Sequence, residues 1–222
     1  MASGQLNGEV AVVTGACRGI GLAITTCFLT EQAHVVAVDI EPVSEALQRL
    51  SIQYPGRLVH IRADVASEAD VAAMIAQVVA RFGTLDVLVN NAGIEFYKPV
   101  TTTSVQEWNR LMDVNLGGVF LCSKQAMPLL LKANGCIVNV ASELDIVAER
   151  HVAAYCASKG AILSLTRAMP VDHAPEVRVN CLWPFVVGSR SRTIRFTMKR
   201  PGTDSLEHRR GLRHIESISH VI

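Results

Sequence analysis

The chain has 222 residues and a mass of 24.0 kDa, half of its residues are hydrophobic, and 18% are charged. That composition can bury a sizeable core, which excludes a disordered chain, and the length fits one large domain. The formal net charge of +1 gives no whole-surface attraction to nucleic acid or anionic lipid. No consecutive apolar run approaches the ~18 residues of a membrane-spanning helix, and Met1-Ala2-Ser3-Gly4-Gln5 does not read as a signal peptide. The six cysteines (17, 27, 122, 136, 156 and 181) show neither a C-x-x-C pair nor a His-rich partner spacing. Reduced thiols are therefore expected, with no metal site, no nucleic-acid or membrane partner, and a cytoplasmic location.

Taken in order, short β-rich runs alternate with helix-period segments. Residues 10–14, 35–39, 58–62, 85–90, 136–142 and 177–182 read as strands, most of them continuously apolar at the centre, as strands buried on both faces are. Between them, 67–82 reads as an amphipathic helix with Val71, Ile75, Val78, Val79 and Phe82 at near-helical spacing. Ser67 with Asp70, and Ser104 with Glu107, resemble capping boxes. Six strand–helix alternations predict an α/β fold of right-handed βαβ units, a doubly wound parallel sheet. Near the end, Met169-Pro170 predicts a break in an otherwise helical stretch.

The first strand runs into Thr14-Gly15-Ala16-Cys17-Arg18-Gly19-Ile20-Gly21, after which a helix begins. Glycines suit a backbone that turns sharply and lets a pyrophosphate approach where a Cβ would intrude. The following helix N-terminus adds free N–H groups and a partial positive charge. Asp39, 24 residues beyond Gly15, ends the second strand. A carboxylate there accepts both ribose hydroxyls of an adenosine and repels a 2′-phosphate. Ile40 follows, so no arginine stands immediately beyond to reverse that preference, although Arg18 in the glycine loop is positioned to favour a 2′-phosphate. The balance predicts NAD as cofactor ahead of NADP.

Later strands also end in polar residues, where an open parallel sheet binds its ligand. Asp64-Val65 follows the third, Asn90-Asn91-Ala92-Gly93 the fourth and Ser142 the fifth, and Tyr155-Cys156-Ala157-Ser158-Lys159 comes next. With Asn115, these motifs stand in an order and at separations that resemble the short-chain dehydrogenase/reductase family over roughly residues 6–184. The resemblance implies a Rossmann-type three-layer αβα domain over 1–188 that interconverts an alcohol with a ketone or aldehyde. It implies Tyr155 as general acid/base, Lys159 on the nicotinamide ribose, Ser142 on the substrate oxygen, and Asn115 anchoring a water chain to the lysine. It further implies that Gly15, Cys17, Arg18, Gly19, Ile20 and Gly21 surround the pyrophosphate and that Asp39 binds the adenosine ribose. Asp64 and Val65 would meet the adenine side, Asn91, Ala92 and Gly93 would form the floor, and Pro184 would close the cofactor side after the sixth strand.

The spacing also makes chemical sense by itself. Residues i and i+4 share a helix face, so Tyr155 and Lys159 reach one site. A free phenol, with a pKa of ~10, is a poor base near neutrality. An ammonium ~4 Å away at an effective dielectric of ~20 stabilises phenolate by ~4 kcal/mol, which predicts a value of ~7. Glu95, Glu143 and His151 lie in loops that should flank the substrate but read more simply as solvated side chains, and Trp108 reads as core or interface.

Beyond Pro184 the sequence departs from the family. Phe185 stands where the family has glycine, and residues 189–222 carry eight Lys and Arg against three Asp and Glu, whereas 1–188 carry thirteen against seventeen. This segment reads as a basic, non-family tail without periodicity, leaving the sixth strand as an exposed edge for want of the family's last strand. A family-like homo-oligomer, which uses that region, is correspondingly in question. The main alternative is a dinucleotide-binding or interaction protein that lost its substrate lid and is catalytically impaired; a Rossmann-type methyltransferase has no use for Tyr-x-x-x-Lys.

Overall fold

A computed structural model describes residues 4–186, 194–198 and 213–215. Six parallel strands form in the predicted places: β1 (Val10–Thr14), β2 (His34–Asp39), β3 (Leu58–Arg62), β4 (Val87–Asn90), β5 (Cys136–Val140) and β6 (Arg178–Val186). The chain winds outward from β1 through β2 to β3, then crosses back to place β4 on the other side of β1, with β5 and β6 beyond. The reversal opens a crevice at the carboxyl ends of β1 and β4.

Alternation along the central strands divides the core into two. Ala11 and Val13 face α1 (Gly19–Thr30) and α2 (Glu45–Gln53), packing with Ile24, Phe28 and Leu47. Val10 and Val12 belong to the opposite core with Val71 and Met74 of α3 (Glu68–Phe82), Cys122 and Leu130 of α5 (Gly118–Ala133), and Met169 of α6 (Ala153–His173). The result is three αβα layers.

Ser104 and Glu107 form the reciprocal capping box at the start of α4 (Val105–Met112). Ser67 caps α3 by accepting the Asp70 N–H, but the Asp70 carboxylate is drawn to the Asp64 N–H at 3.0 Å instead of the Ser67 backbone. Between α4 and α5 a wider π-type turn, Asp113–Gly117, carries Asn115. This continuous helical run has the length and mean hydropathy of a membrane span, yet its buried side, including Val119, Cys122, Ala126 and Leu130, packs in this fold.

Two expectations fail. Helix α6 does not break at Met169-Pro170 but continues to His173, with the Ala174 N–H bonded to the Pro170 carbonyl. Proline sits near the end of the helix, and burial of Met169 and of Thr166, which bonds Asn139, offsets its ~3 kcal/mol cost. Nor is β6 an edge: β7 (Ile194–Met198) pairs with it antiparallel and β8 (Arg213–Ile215) pairs with β7. Beyond β6 the described strands pair antiparallel, in place of the family's last parallel strand whose absence was expected, and the rest of the predicted tail lies outside the described residues.

At the sheet's centre, the Asn90 amide donates to Asn139 Oδ1 at 2.8 Å and to Ser123 Oγ at 3.2 Å, while the Asn139 amide donates to Thr166 Oγ1 at 2.8 Å. All four side chains are buried. Nearby, burial pushes the Cys122 thiol up to about 12 from 9.0. A buried thiol raised in the folded state stabilises fully below the unfolded value and loses that contribution as pH rises from 9 towards 12. Urea unfolding of Cys122→Ala should therefore cost least at high pH: relative to this variant, the parent loses about 1.4 kcal/mol per pH unit above 9.

Candidate active site

A cavity of about 390 Å³ occupies the crevice at the carboxyl ends of β1, β2 and β4. Its floor is fixed by Thr14 and Asn91. Thr14 Oγ1 accepts the N–H groups of Asn91 and Ala92, both at 3.0 Å, and the Asn91 amide donates to the carbonyls of Thr14 and Gly15 at 2.8 and 3.1 Å. The loop then folds back closely on itself. Gly15 has φ +65°, and a Cβ on Gly21 would lie 2.1 Å from the Gly15 carbonyl oxygen. Arg18 precedes the first turn of α1 without capping it, so no side chain of the cap blocks the N–H groups there. A cradle that excludes side chains and ends in open N–H groups fits a dinucleotide pyrophosphate.

Gly15, Arg18, Gly19, Ile20 and Asp39 line one side of the cavity. Asp64, Val65, Asn91, Ala92 and Gly93 line the other. Gly21 acts from behind, through its contact with Gly15. Asp39 accepts the N–H groups of Cys17 at 2.9 Å and Glu41 at 3.1 Å, which orient its carboxylate. Cys17 contributes through that backbone bond: its buried thiol points to the Pro42 carbonyl and lies 3.7 Å from His60 Nε2. Burial, reinforced by Asp39, raises this thiol, and burial lowers His60. Pro184 is half-buried on β6 and is not among the residues lining the cavity.

Sequence reading missed Arg110, which lines the cavity and pairs with Asp64 at 3.3 Å across 46 residues. No local spacing signals such a contact.

The four remaining residues meet beside this cavity. Ser142 ends the segment after β5 and accepts the Leu144 N–H at 3.3 Å, opening the 3₁₀ turn Glu143–Asp145. Its hydroxyl also hydrogen-bonds the Tyr155 side chain. Lys159, 4% exposed, donates from Nζ to the Val140 carbonyl at 2.7 Å and lies 5.5 Å from the Tyr155 ring centroid. Asn115 is fully buried; it accepts the Ile94 N–H at 2.8 Å and donates to the Ile94 carbonyl at 3.0 Å. It also donates to Ser158 Oγ at 3.1 Å, and that hydroxyl donates to the Tyr155 carbonyl at 2.8 Å. Ser158, also missed, is the link that ties the loop after β4 to the helix carrying Tyr155.

The electrostatics correct the simple picture of the pair. Burial, then the Glu95 carboxylate, push the Tyr155 phenol above its ordinary value, against the lowering effect of the Ser142 hydrogen bond. Burial also drives the Lys159 ammonium down to about 8. The phenol is therefore raised and not lowered in this structure, because burial and then the Glu95 carboxylate disfavour its charged form, while Lys159 Nζ donates to the Val140 carbonyl. Glu95, expected to be merely solvated, acts on both Tyr155 and Tyr97. His151 is exposed and contributes its carbonyl, which accepts the Lys98 N–H at 2.6 Å and joins the two substrate-side loops. Trp108 is 38% exposed on α4 and is not part of the core.

An open parallel sheet with a pyrophosphate cradle at its switch point defines a dinucleotide-binding protein, and the adjoining tyrosine and lysine suit it to moving a proton alongside a hydride. The comparisons agree. Residues 9–199 match the short chain dehydrogenase family model. The chain is 40% identical over 185 residues to meso-2,3-butanediol dehydrogenase of Serratia marcescens, covering 82% of this chain and 73% of that protein. It is 42% identical over 186 residues to 2-(R)-hydroxypropyl-CoM dehydrogenase of Xanthobacter autotrophicus, covering 81% and 74%. The ligand-free aldohexose dehydrogenase of Thermoplasma acidophilum matches with a TM-score of 0.75 at 35% identity, over 82% of this chain and 68% of that one. The chain belongs to the short-chain dehydrogenase/reductase family. It is an oxidoreductase acting on CH–OH groups with a nicotinamide dinucleotide, and nothing in the comparisons favours the alternative of an impaired binding protein.

Proposed function

We propose that this protein is an NAD-preferring dehydrogenase that interconverts a secondary alcohol and a ketone on a small, polyhydroxylated substrate. Asp39 carries the cofactor preference: its oriented carboxylate lines the cavity, and the neighbouring Arg62 is engaged with the Ile40 carbonyl, to which its Nε donates at 2.9 Å. The names of two relatives, a butanediol and an aldohexose dehydrogenase, support the substrate class. Six free cysteines among the described residues support a reducing compartment such as the cytoplasm.

In this reading, Gly15, Gly19 and Ile20 hold the pyrophosphate, Asp39 the adenosine ribose, Asp64 and Val65 the adenine side, and Asn91, Ala92 and Gly93 the floor. A bound nicotinamide supplies the hydride acceptor for oxidation and the donor for reduction. Tyr155 takes or returns the proton at the carbinol oxygen, and Ser142 holds that oxygen within reach. Lys159 sets the charge beneath the tyrosine, while Asn115 fixes the backbone at Ile94 and, through Ser158, the first turn of α6.

Fluorescence titration with NADH and NADPH tests the reading without knowledge of the substrate. NADH should bind more tightly, and Asp39→Asn, which keeps an acceptor for the Cys17 N–H, should narrow the difference by about tenfold or more. Tighter NADPH binding by the parent would assign the dominant contact to Arg18 and refute the role given to Asp39.

A further inference from the structure

Asp64 is held at three points. Its N–H donates to Asp70 Oδ2 at 3.0 Å, its Oδ1 accepts the Ala66 N–H at 2.9 Å, and its Oδ2 accepts from the Arg110 guanidinium at 3.3 Å. Arg110 stands on α4, whose start is fastened by the Ser104–Glu107 capping box and by the ion pair of Glu107 with Lys98. Asp64 and Arg110 both line the cavity, and so do the buried Val65 and Val114. Each charged residue thus brings an apolar neighbour from its own segment: Val65 follows Asp64, and Val114 lies four residues beyond Arg110. Apolar walls with a few fixed polar groups suit a flat heteroaromatic ring.

The side chains of the pair are 50% exposed at Arg110 and 27% at Asp64. An ion pair so open to water adds little to the stability of a fold. What it does set is direction. With one oxygen turned to Ala66 and the other to Arg110, the plane of the carboxylate is fixed, and each oxygen keeps a further lone-pair site for a ligand.

We propose that Arg110 is a positioning residue for the cofactor's purine: it fixes the Asp64 carboxylate so that the site accepts a 6-amino base and rejects a 6-oxo base. The proposal rests on the reading that puts the adenine side of the cofactor at Asp64 and Val65. An ionised carboxylate only accepts hydrogen bonds. The exocyclic amino group of adenine donates to it, whereas the oxygen of hypoxanthine at the same position brings lone pairs and is repelled. A carboxylate free to rotate turns away from that oxygen, and one tied to a guanidinium does not. Direct contact between Arg110 and the base would act with the opposite sign, because guanidinium donors favour a 6-oxo purine.

Nicotinamide fluorescence titration with NADH and with reduced nicotinamide hypoxanthine dinucleotide tests the proposal without a substrate. The parent should bind NADH more tightly by about tenfold, and Arg110→Met should bring the two within about threefold. Arg110→Lys, which keeps the charge but not the planar fork, should restore part of the difference. In Asp64→Asn the preference should vanish, since an amide can turn to offer either a donor or an acceptor. Adding Arg110→Met to that variant should change the ratio no further.

The urea midpoint of Arg110→Met should stay close to the parent's. A merely structural loss would weaken both dinucleotides equally and leave their ratio at the parent value, and that result overturns the proposal while the cofactor reading stands. A higher ratio in Arg110→Met also overturns it, by showing that the guanidinium meets the base itself. Equal binding of the two dinucleotides by the parent would refute the placement of adenine at Asp64, and the proposal with it.

Discussion

Tyr155→Phe is expected to lower kcat for carbonyl reduction by about 10²–10⁴-fold, the usual worth of a positioned general acid. Substrate KM and NADH affinity should change little, because the ring is retained and only the hydroxyl bonded to Ser142 is lost. The fold should survive, since one neutral hydrogen bond contributes about 1 kcal/mol. The parent should also show opposed pH dependences. A phenol held above its ordinary value by burial and Glu95 is protonated at neutral pH, which serves reduction directly. Oxidation needs the phenolate, so its rate should climb as the solution becomes alkaline. Steady-state rates in both directions across pH check this. Residual activity above a tenth of the parent rate in Tyr155→Phe would remove Tyr155 from the chemistry.

Gly21→Ala is expected to weaken NADH binding by roughly 100-fold, as an overpacking cost of ~3 kcal/mol implies. The new Cβ would meet the Gly15 carbonyl oxygen at 2.1 Å and the Asn91 amide at 2.6 Å. Neither can yield cheaply, since Gly15 is already at positive φ and Asn91 staples the loop to β4. Gly19→Ala is the comparison: its Cβ would meet nothing within 4 Å, and only its φ of +56° is unfavourable. That substitution should cost only ~1–2 kcal/mol. Equal losses in the two variants, measured by fluorescence titration, would mean that conformation, not contact, controls the cradle.

Much of the fold is legible in the sequence because the strands are buried on both faces and read as short apolar runs. Val10–Thr14 and Cys136–Val140, buried at every position, begin where their composition puts them. The glycine loop and the Tyr155–Lys159 pair are legible for a related reason: each depends on spacing within one turn or loop. What could not be read depends on contacts made elsewhere. Pro170 is tolerated because distant packing supports α6, and the Asp64–Arg110 pair joins residues 46 apart. Pairing of β7 with β6 uses backbone groups, which leave no side-chain period to detect. The proton affinity of Tyr155 is likewise set by Glu95 and by burial, sixty residues and a fold away from the motif that identifies it.

The buried Asn90–Asn139–Thr166–Ser123 network carries a consequence for how finely the site is set. Thr166 lies eleven residues beyond Tyr155, about three full turns, so it points from the same side of α6. A helix held only by greasy contact can rotate a few degrees or slide by a fraction of a turn with little penalty. A helix whose hydroxyl must find one particular amide cannot, because a slip would strand polar atoms where no water reaches. The network behaves as an index pin at the far end of a lever, giving up some cohesion for angular certainty at the reacting oxygen. Replacing it with leucines would yield a more forgiving interior and a tyrosine whose aim wanders.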